Sequence, residues 1–232
     1  MIDIHCHLLY GVDDGPNTIE ESKAMLQEAA QQGVDTVILT PHFRQGMFPY
    51  DPDTIRKHFS ELLPLASDVG VRLFLGTEYH IDRECVENLK NGRCLSLAGS
   101  EYVLAEYSHI EDYPFLKETV QELEFAGYVP VIAHAERCAC LTEDPDLVDE
   151  LQRSNVLIQL NADAVLGKTG RTEKQFCKYL LDCGMADIIA SDSHDLTHRP
   201  CRMEKCRDYV RKRYGEAAAE RMFEKTPGQI VK

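Results

Sequence analysis

Two short runs carry imidazoles and carboxylates at every second residue: Asp3-Ile4-His5-Cys6-His7 near the start of the chain and Asp192-Ser193-His194 near its end. In an extended strand, residues i and i+2 point to the same face. That spacing puts Asp3, His5 and His7 on one face and Ile2, Ile4, Cys6 and Leu8 on the other. The polar face suits a metal ion and the apolar face suits a layer of helices. Further donors follow apolar runs: His42 in LTPH, Glu78 in FLGTE, Glu106 in VLAEY and His134 in VIAH. Taken singly, each has a blander reading as a hydrogen-bonded core histidine or a cap. Asp14, in VDDGP, reads most simply as a turn residue before Pro16, and His58, His80 and His109 read as surface or loop histidines. As a set, the donors read as a metal site. A mixed imidazole–carboxylate set without thiolate suits Mn²⁺, Fe²⁺, Co²⁺ or Zn²⁺. His5, His7, Asp14, His42, Glu78, Glu106, His134, Asp192 and His194 are too many for one ion. Three divalent ions would bring roughly +6 against roughly −4 from the four carboxylates. The residue of about +2 suits a phosphate dianion and a bridging hydroxide.

The elements that must position these donors alternate along the chain. Strands are predicted over 2–7, 36–40, 72–76, 102–106, 129–133, 156–160 and 187–190. Helices are predicted over 19–32, 54–67, 116–126, 146–153 and 173–183. Thr18 followed by Glu21 is a capping box, and Gly33, Gly127 and Gly184 mark helix ends. About seven β-α units without a composition break predict a single barrel-like α/β domain over residues 1–232. An open doubly wound sheet is the rival architecture. His, Glu or Asp stands at the carboxyl end of six of the seven strands, the face where parallel barrels build active sites. In a closed barrel the first and last strands are neighbours, so His5 and His7 would meet Asp192 and His194.

Composition narrows the class. In 232 residues, 25 basic against 39 acidic side chains leave a net charge of −14. A nucleic-acid or anionic-membrane surface runs the other way. Hydrophobic residues at 44% and charged residues at 28% fit an ordered globular chain. Met1 leads directly into an apolar strand with no basic leader, so the cytoplasm is the expected location. Nine cysteines in such a chain are expected to be reduced thiols.

The motifs together resemble the PHP (polymerase and histidinol phosphatase) superfamily. The closer likeness is to the bacterial metal-dependent protein-tyrosine phosphatases of capsule and exopolysaccharide operons, the CpsB/YwqE type. It is carried by MIDIHCHLLYGVDDGP, RQGMF after His42, PVIAHAER and ASDSHDLTHRP, and runs from Met1 to about Val231. Two features depart from the pattern: Gly11 stands where relatives carry an acidic residue, and the tail KTPGQIVK lacks an Asn-Pro. The resemblance implies a distorted (β/α)7 TIM-like barrel, the PHP fold, with three metal ions, Mn²⁺ first among the candidates. It implies one ion on His5, His7, Glu78 and Asp192, a second on Glu78, Glu106 and His134, and a third on Asp14, His42 and His194. Arg137 in HAER and Arg199 in DLTHRP match phosphate-binding arginines, a role suited to the planar guanidinium fork. The implied reaction is hydrolysis of phosphotyrosine by hydroxide generated at the metals. The implied partner is the tyrosine-rich tail of a polysaccharide-biosynthesis kinase, with no nucleic acid and no membrane insertion. Segment 44–52 could wall the cleft, with Arg44, Phe48 and Tyr50 available and Phe48 or Tyr50 stacking on the substrate ring.

Four rivals remain at this level. Histidinol phosphatase and a nucleotide phosphoesterase or exonuclease share the superfamily, though the charge of −14 disfavours the nucleic-acid reading. A metal-binding scaffold without turnover is a different class. Cys201 and Arg207 fit C-x5-R, the loop of thiol-based phosphatases, but the intervening RMEKC lacks the small residues such a loop needs, and 203–213 reads as a helix.

Overall fold

The computed structural model describes residues 1–107 and 112–231, so His109 lies outside the described residues. Its strands are β1 (Ile2–Cys6), β2 (Thr36–Leu39), β3 (His42–Phe43), β4 (Arg72–Leu75), β5 (Glu78–His80), β6 (Tyr102–Glu106), β7 (Val129–Ile132), β8 (Leu157–Asn161) and β9 (Ile188–Ala190). All pairings between them are parallel, in the orders β1-β2-β4 and β3-β5-β6-β7-β8-β9. Strand β2 matches the predicted strand 36–40, and the short β3 continues it beyond the predicted end. They are broken at Thr40-Pro41, where proline offers no N–H to the ladder. Strands β4 and β5 are broken at Gly76-Thr77. Hydrogen bonds from Gly76 N to Leu39 O (2.8 Å) and from Glu78 N to Pro41 O (3.2 Å) carry the pairing across both breaks. The ring closes where Asp192 N donates to His5 O and His7 N donates to Ser193 O, each at 2.9 Å. The result is a distorted seven-unit parallel barrel rather than an open sheet.

Helices follow most strands: α1 (Ile19–Gln31), α2 (Pro52–Asp68), α3 (Cys85–Lys90), α4 (Tyr113–Phe125), α5 (Ala139–Glu143), α6 (Asp146–Leu151), α7 (Ala162–Val165), α8 (Arg171–Cys183) and α9 (Met203–Tyr214). The Thr18–Glu21 capping box opens α1. Helix α2 begins at Pro52 rather than 54, because Asp51 accepts from Asp53 N and Thr54 N and Pro52 pre-sets the first turn. Helix α4 begins at Tyr113 because Asp112 accepts from Phe115 N at 3.0 Å. No helix among the described residues is long and apolar enough to cross a membrane.

The alternation expected for β1 fails at one point. The pairing with β2 shifts register between Asp3 and Cys6. Ile2 and Ile4 therefore pack in the inner cluster with Ile38, Leu104, Val131 and Ile188, while Cys6 and Leu8 pack in the larger outer cluster. Asp3 leaves the histidine face and accepts from Ser191 N at 3.0 Å instead. The inner cluster plugs the barrel beneath His5, so the donors sit on an apolar floor.

Gly76 marks how closely that floor is packed. A methyl there would lie 2.9 Å from Leu97 Cδ2 and 3.2 Å from both Leu97 Cα and Ile38 Cγ2. G76A should lower unfolding stability by about 1–3 kcal/mol through overpacking. Urea titration reads it, and an unchanged midpoint would mean the strand break has slack.

Candidate metal centre

All nine candidate donors converge at the carboxyl ends of the strands. Glu78, at the start of β5 and fully buried, is the hub. Its Oε2 lies 2.9 Å from His42 Nδ1, 3.1 Å from His7 Nε2 and 3.3 Å from His5 Nε2. Its Oε1 lies 2.7 Å from His134 Nε2. Asp192 Oδ1 stands 3.5 Å from His5 Nε2 and 3.6 Å from His7 Nε2. Asp14 Oδ1 lies 3.2 Å from His194 Nε2 and 3.5 Å from His42 Nε2. Glu106 Oε1 is 4.0 Å from His134 Nε2. The rings of His7 and His194 stack at 3.9 Å, as neighbouring first and last strands require.

Apart from the hydrogen bond between His134 Nε2 and Glu78 Oε1, these contacts are close without being good hydrogen bonds. His42 Nδ1, Glu78 Oε2, His134 Nδ1 and His194 Nε2 are buried and lack a hydrogen-bond partner among the described residues. Buried polar atoms are otherwise nearly always paired. Donor atoms crowded within one sphere but misaligned with each other are aimed at points between them. Four groups of side chains there could each hold an ion: His7, Asp14, His42 and His194; His5, Glu78 and His134; His5, His7 and Asp192; His42, Glu78 and Glu106. The donor set of imidazole and carboxylate fits divalent cations.

Backbone strain helps aim the donors. His134 (φ 30°) and Asp192 (φ 51°) are left-handed, a conformation that costs a non-glycine residue about 1–3 kcal/mol. After His134 the turn Ala135–Arg137 buries Glu136, whose carboxyl accepts from Asn161 N at 3.2 Å. Burial pushes that carboxyl up to about 8. Arg137 is thereby swung onto Asp192 Oδ2 at 2.9 Å, and Arg199 meets the same oxygen at 2.8 Å.

Several orienting residues escape the sequence reading. Asp13 accepts from His7 Nδ1 at 2.8 Å and from His42 N at 3.2 Å. The unit without an ionisable donor, β8, supplies an amide relay. Gln159 Oε1 lies 3.0 Å from His5 Nδ1 and accepts from His134 N at 2.8 Å. Gln159 Nε2 donates to Asn161 Oδ1, and Asn161 Nδ2 donates to Asp192 Oδ2 at 2.7 Å. Such partners fix ring orientation and tautomer. The polar i, i+2 pair in LIQLN was the available signal. His80, read as a surface or loop histidine, belongs to β5 and pairs with Glu106 at 3.2 Å. His58 stacks on Tyr10 at 4.0 Å, away from the donors. Phe48 lies parallel over His42 at 4.8 Å, whereas Tyr50 is tied into the wall by its 2.8 Å bond to Thr77 and its edge contact with Phe43.

The thiol alternative fails here. Cys201 is buried, its thiol pushed far up by burial, and Arg207 is paired with Glu216 and Glu224 beyond the start of α9. All nine cysteines are free.

Comparison with known proteins gives the family and the fold. The family described as capsular polysaccharide synthesis, CpsB/CapC, matches residues 1–232. The tyrosine-protein phosphatase CpsB of Streptococcus pneumoniae is 33% identical over 238 residues, covering 100% of this chain and 98% of that protein. The tyrosine-protein phosphatase YwqE of Bacillus subtilis (strain 168) is 30% identical over 217 residues, covering 93% and 85%. A solved structure from work on YwqE and S. pneumoniae CpsB, described as unique metal-dependent tyrosine phosphatases, superposes with a TM-score of 0.93. Its identity is 27%, with 100% of this chain and 94% of that chain covered. A Listeria monocytogenes lactonase, at 12% identity and TM-score 0.63, shares the fold alone, covering 100% and 93%.

Two outcomes follow from the site. A methyl at Gly15 would sit 2.2 Å from the His7 carbonyl oxygen, so G15A must push away the loop carrying Asp13 and Asp14. Calorimetric titration with Mn²⁺ should show affinity reduced at least about tenfold, and unchanged affinity would remove Asp14 from the site. The second outcome concerns pH. Burial opposes protonation of His5 and His42, but Glu78 with Asp192 holds His5 up at about 9, and Glu78 with Asp14 holds His42 up at about 11. Burial and His7 bring His194 down to about 4. At pH 7 the metal-free site therefore carries protons on His5 and His42 that a cation must expel. Mn²⁺ affinity should rise from pH 6 towards pH 9, with proton release visible as a buffer-dependent heat. A flat profile without proton release would contradict the assignment.

Proposed function

The chain belongs to the CpsB/CapC family of capsular polysaccharide synthesis, and from that premise we propose that it is a metal-dependent protein-tyrosine phosphatase, a phosphoric monoester hydrolase. The observation that carries the reading is the meeting of two chemistries at Asp192. One of its oxygens faces His5 and His7, and the other holds both Arg137 and Arg199. Divalent ions on the nine donors would supply Lewis acidity and an acidified water. The occupants on this reading are three divalent ions, Mn²⁺ first among the candidates with Fe²⁺, Co²⁺ and Zn²⁺ as alternatives.

The chain's own residues do the rest. Arg137 and Arg199 are each about one-third exposed (31% and 35%), at a cleft of about 450 Å³ that the buried Asp192 also lines. Arg137 keeps Nη2 for phosphoryl oxygens, and Arg199 would turn its Nη1 from Asp14, 3.7 Å away, to meet them. Burial works against ionisation of Asp192, but His5, Arg137 and Arg199 hold its carboxyl well below the usual range, so it stays an anion that anchors both arginines. The leaving group is a phenolate whose conjugate acid has a pKa of about 10, so the reaction asks for no general acid from the chain. The substrate would be a phosphotyrosine protein, the tyrosine-rich tail of a polysaccharide-biosynthesis kinase in the cytoplasm.

The test strips metal with chelator and follows phosphate release from phosphotyrosine, phosphoserine and histidinol-phosphate substrates, with and without Mn²⁺. Phosphotyrosine turnover should return with Mn²⁺, survive C201S and vanish in H5A. R137A and R199A should each lower kcat/KM by about 10²–10³-fold. Preference for histidinol phosphate would move the chain to another substrate class, and bound metal without turnover would make it a scaffold.

A further inference from the structure

Beside the metal centre lies a second pocket of about 250 Å³, lined in part by Phe48, whose ring stacks on His42 at 4.8 Å. Phe43, Phe48 and Tyr50 line it together with Arg44 and Arg93. These two arginines come from distant segments, one after β3 and one after α3. Neither makes an ion pair or a side-chain hydrogen bond among the described residues. The chain carries 39 acidic against 25 basic side chains, so arginines here have carboxylates to spare. Arg56, Arg83, Arg153, Arg202, Arg207, Arg211 and Arg221 all use them. The nearby Gln45 is taken up by Glu84, 3.4 Å away. Two guanidinium groups facing one pocket repel each other unless an anion sits between them, and their planar forks match carboxylate or phosphoryl oxygens.

We propose that Arg44 and Arg93 form an anion subsite that reads an acidic group on the substrate protein a few residues from the phosphotyrosine. The inference rests on the phosphatase reading and gives its substrate a sequence requirement. Phe48 both lines the pocket and stacks on the candidate ligand His42, so the pocket borders the metal centre, and two to four residues of extended chain reach about 7–14 Å from a phosphotyrosine held there. The anion is a carboxylate or a second phosphoryl group, and the two are separable by experiment.

Fluorescence anisotropy would measure binding of peptides carrying a non-hydrolysable phosphonate analogue of phosphotyrosine. The peptides would be flanked by Glu, by a second phosphonate, by Ala or by Lys. The metal-loaded protein should bind the Glu or second-phosphonate peptide at least fivefold more tightly than the Ala peptide, and the tighter of the two names the anion. R44E/R93E should reverse the order in favour of Lys. Because Arg93 is exposed, R93E alone should abolish the acidic preference even if the double variant does not fold. Equal binding of all four peptides, or an acidic preference that persists in R93E, would overturn the subsite. Hydrolysis of p-nitrophenyl phosphate by the unaltered protein reports separately on the phosphatase reading. No turnover beside an intact acidic preference would end that reading and leave the subsite standing.

Discussion

A buried carboxylate that touches four imidazoles sets the terms for this structure. Glu78 has no exposed surface, and its two oxygens are shared among His5, His7, His42 and His134 at 2.7–3.3 Å. An ionised carboxylate in such a place is costly unless positive charge meets it. Protons on the histidines can supply that charge, and so can divalent cations. The misaligned donor atoms favour cations, because protons would draw the groups into linear hydrogen bonds. The other three carboxylates of the set repeat the problem at its edges. Asp14 faces His42 and His194, Asp192 faces His5 and two arginines, and Glu106 faces His134 and His80.

The fold answers to that constraint. A parallel barrel delivers every strand end to one face, which lets units remote in sequence share one cluster. Its regularity is broken where aim matters. The register shift in β1 brings both His5 and His7 to the centre over an inner core that begins at Ile4. Left-handed backbone at His134 and Asp192 turns donors inward where a strand would have sent them elsewhere. Gln159 and Asn161 then lock three of the donors through amide hydrogen bonds. The same oxygen that ends this relay, Asp192 Oδ2, anchors the two arginines. One side chain thus joins the candidate metal donors to both arginines.

Much of this was readable in the chain. Seven strand units follow from the apolar runs, and six of those runs stop at His, Glu or Asp. The meeting of His5 and His7 with Asp192 and His194 follows from barrel closure. What stayed hidden depends on contacts between distant segments. The bulge in β1 is set by its pairing with β2, not by any residue within IDIHC. Strands β3 and β5, of two and three residues, are too short to show a period. Asp13 and Asp14 are neighbours in one turn, and only the position of His7 makes one an orienting partner and the other a candidate ligand. His80 looked like any half-exposed histidine until β5 set it beside Glu106.

The central claim is that the cluster around Glu78 exists to hold divalent cations. The most direct measurement is the metal content of protein purified without chelator, by inductively coupled plasma mass spectrometry, for the unaltered chain and for E78Q. About three divalent ions per chain are expected, falling to one or fewer in E78Q, because Glu78 falls in two of the candidate donor groups. A chain that carries no divalent metal, or one whose metal content ignores E78Q, would contradict it.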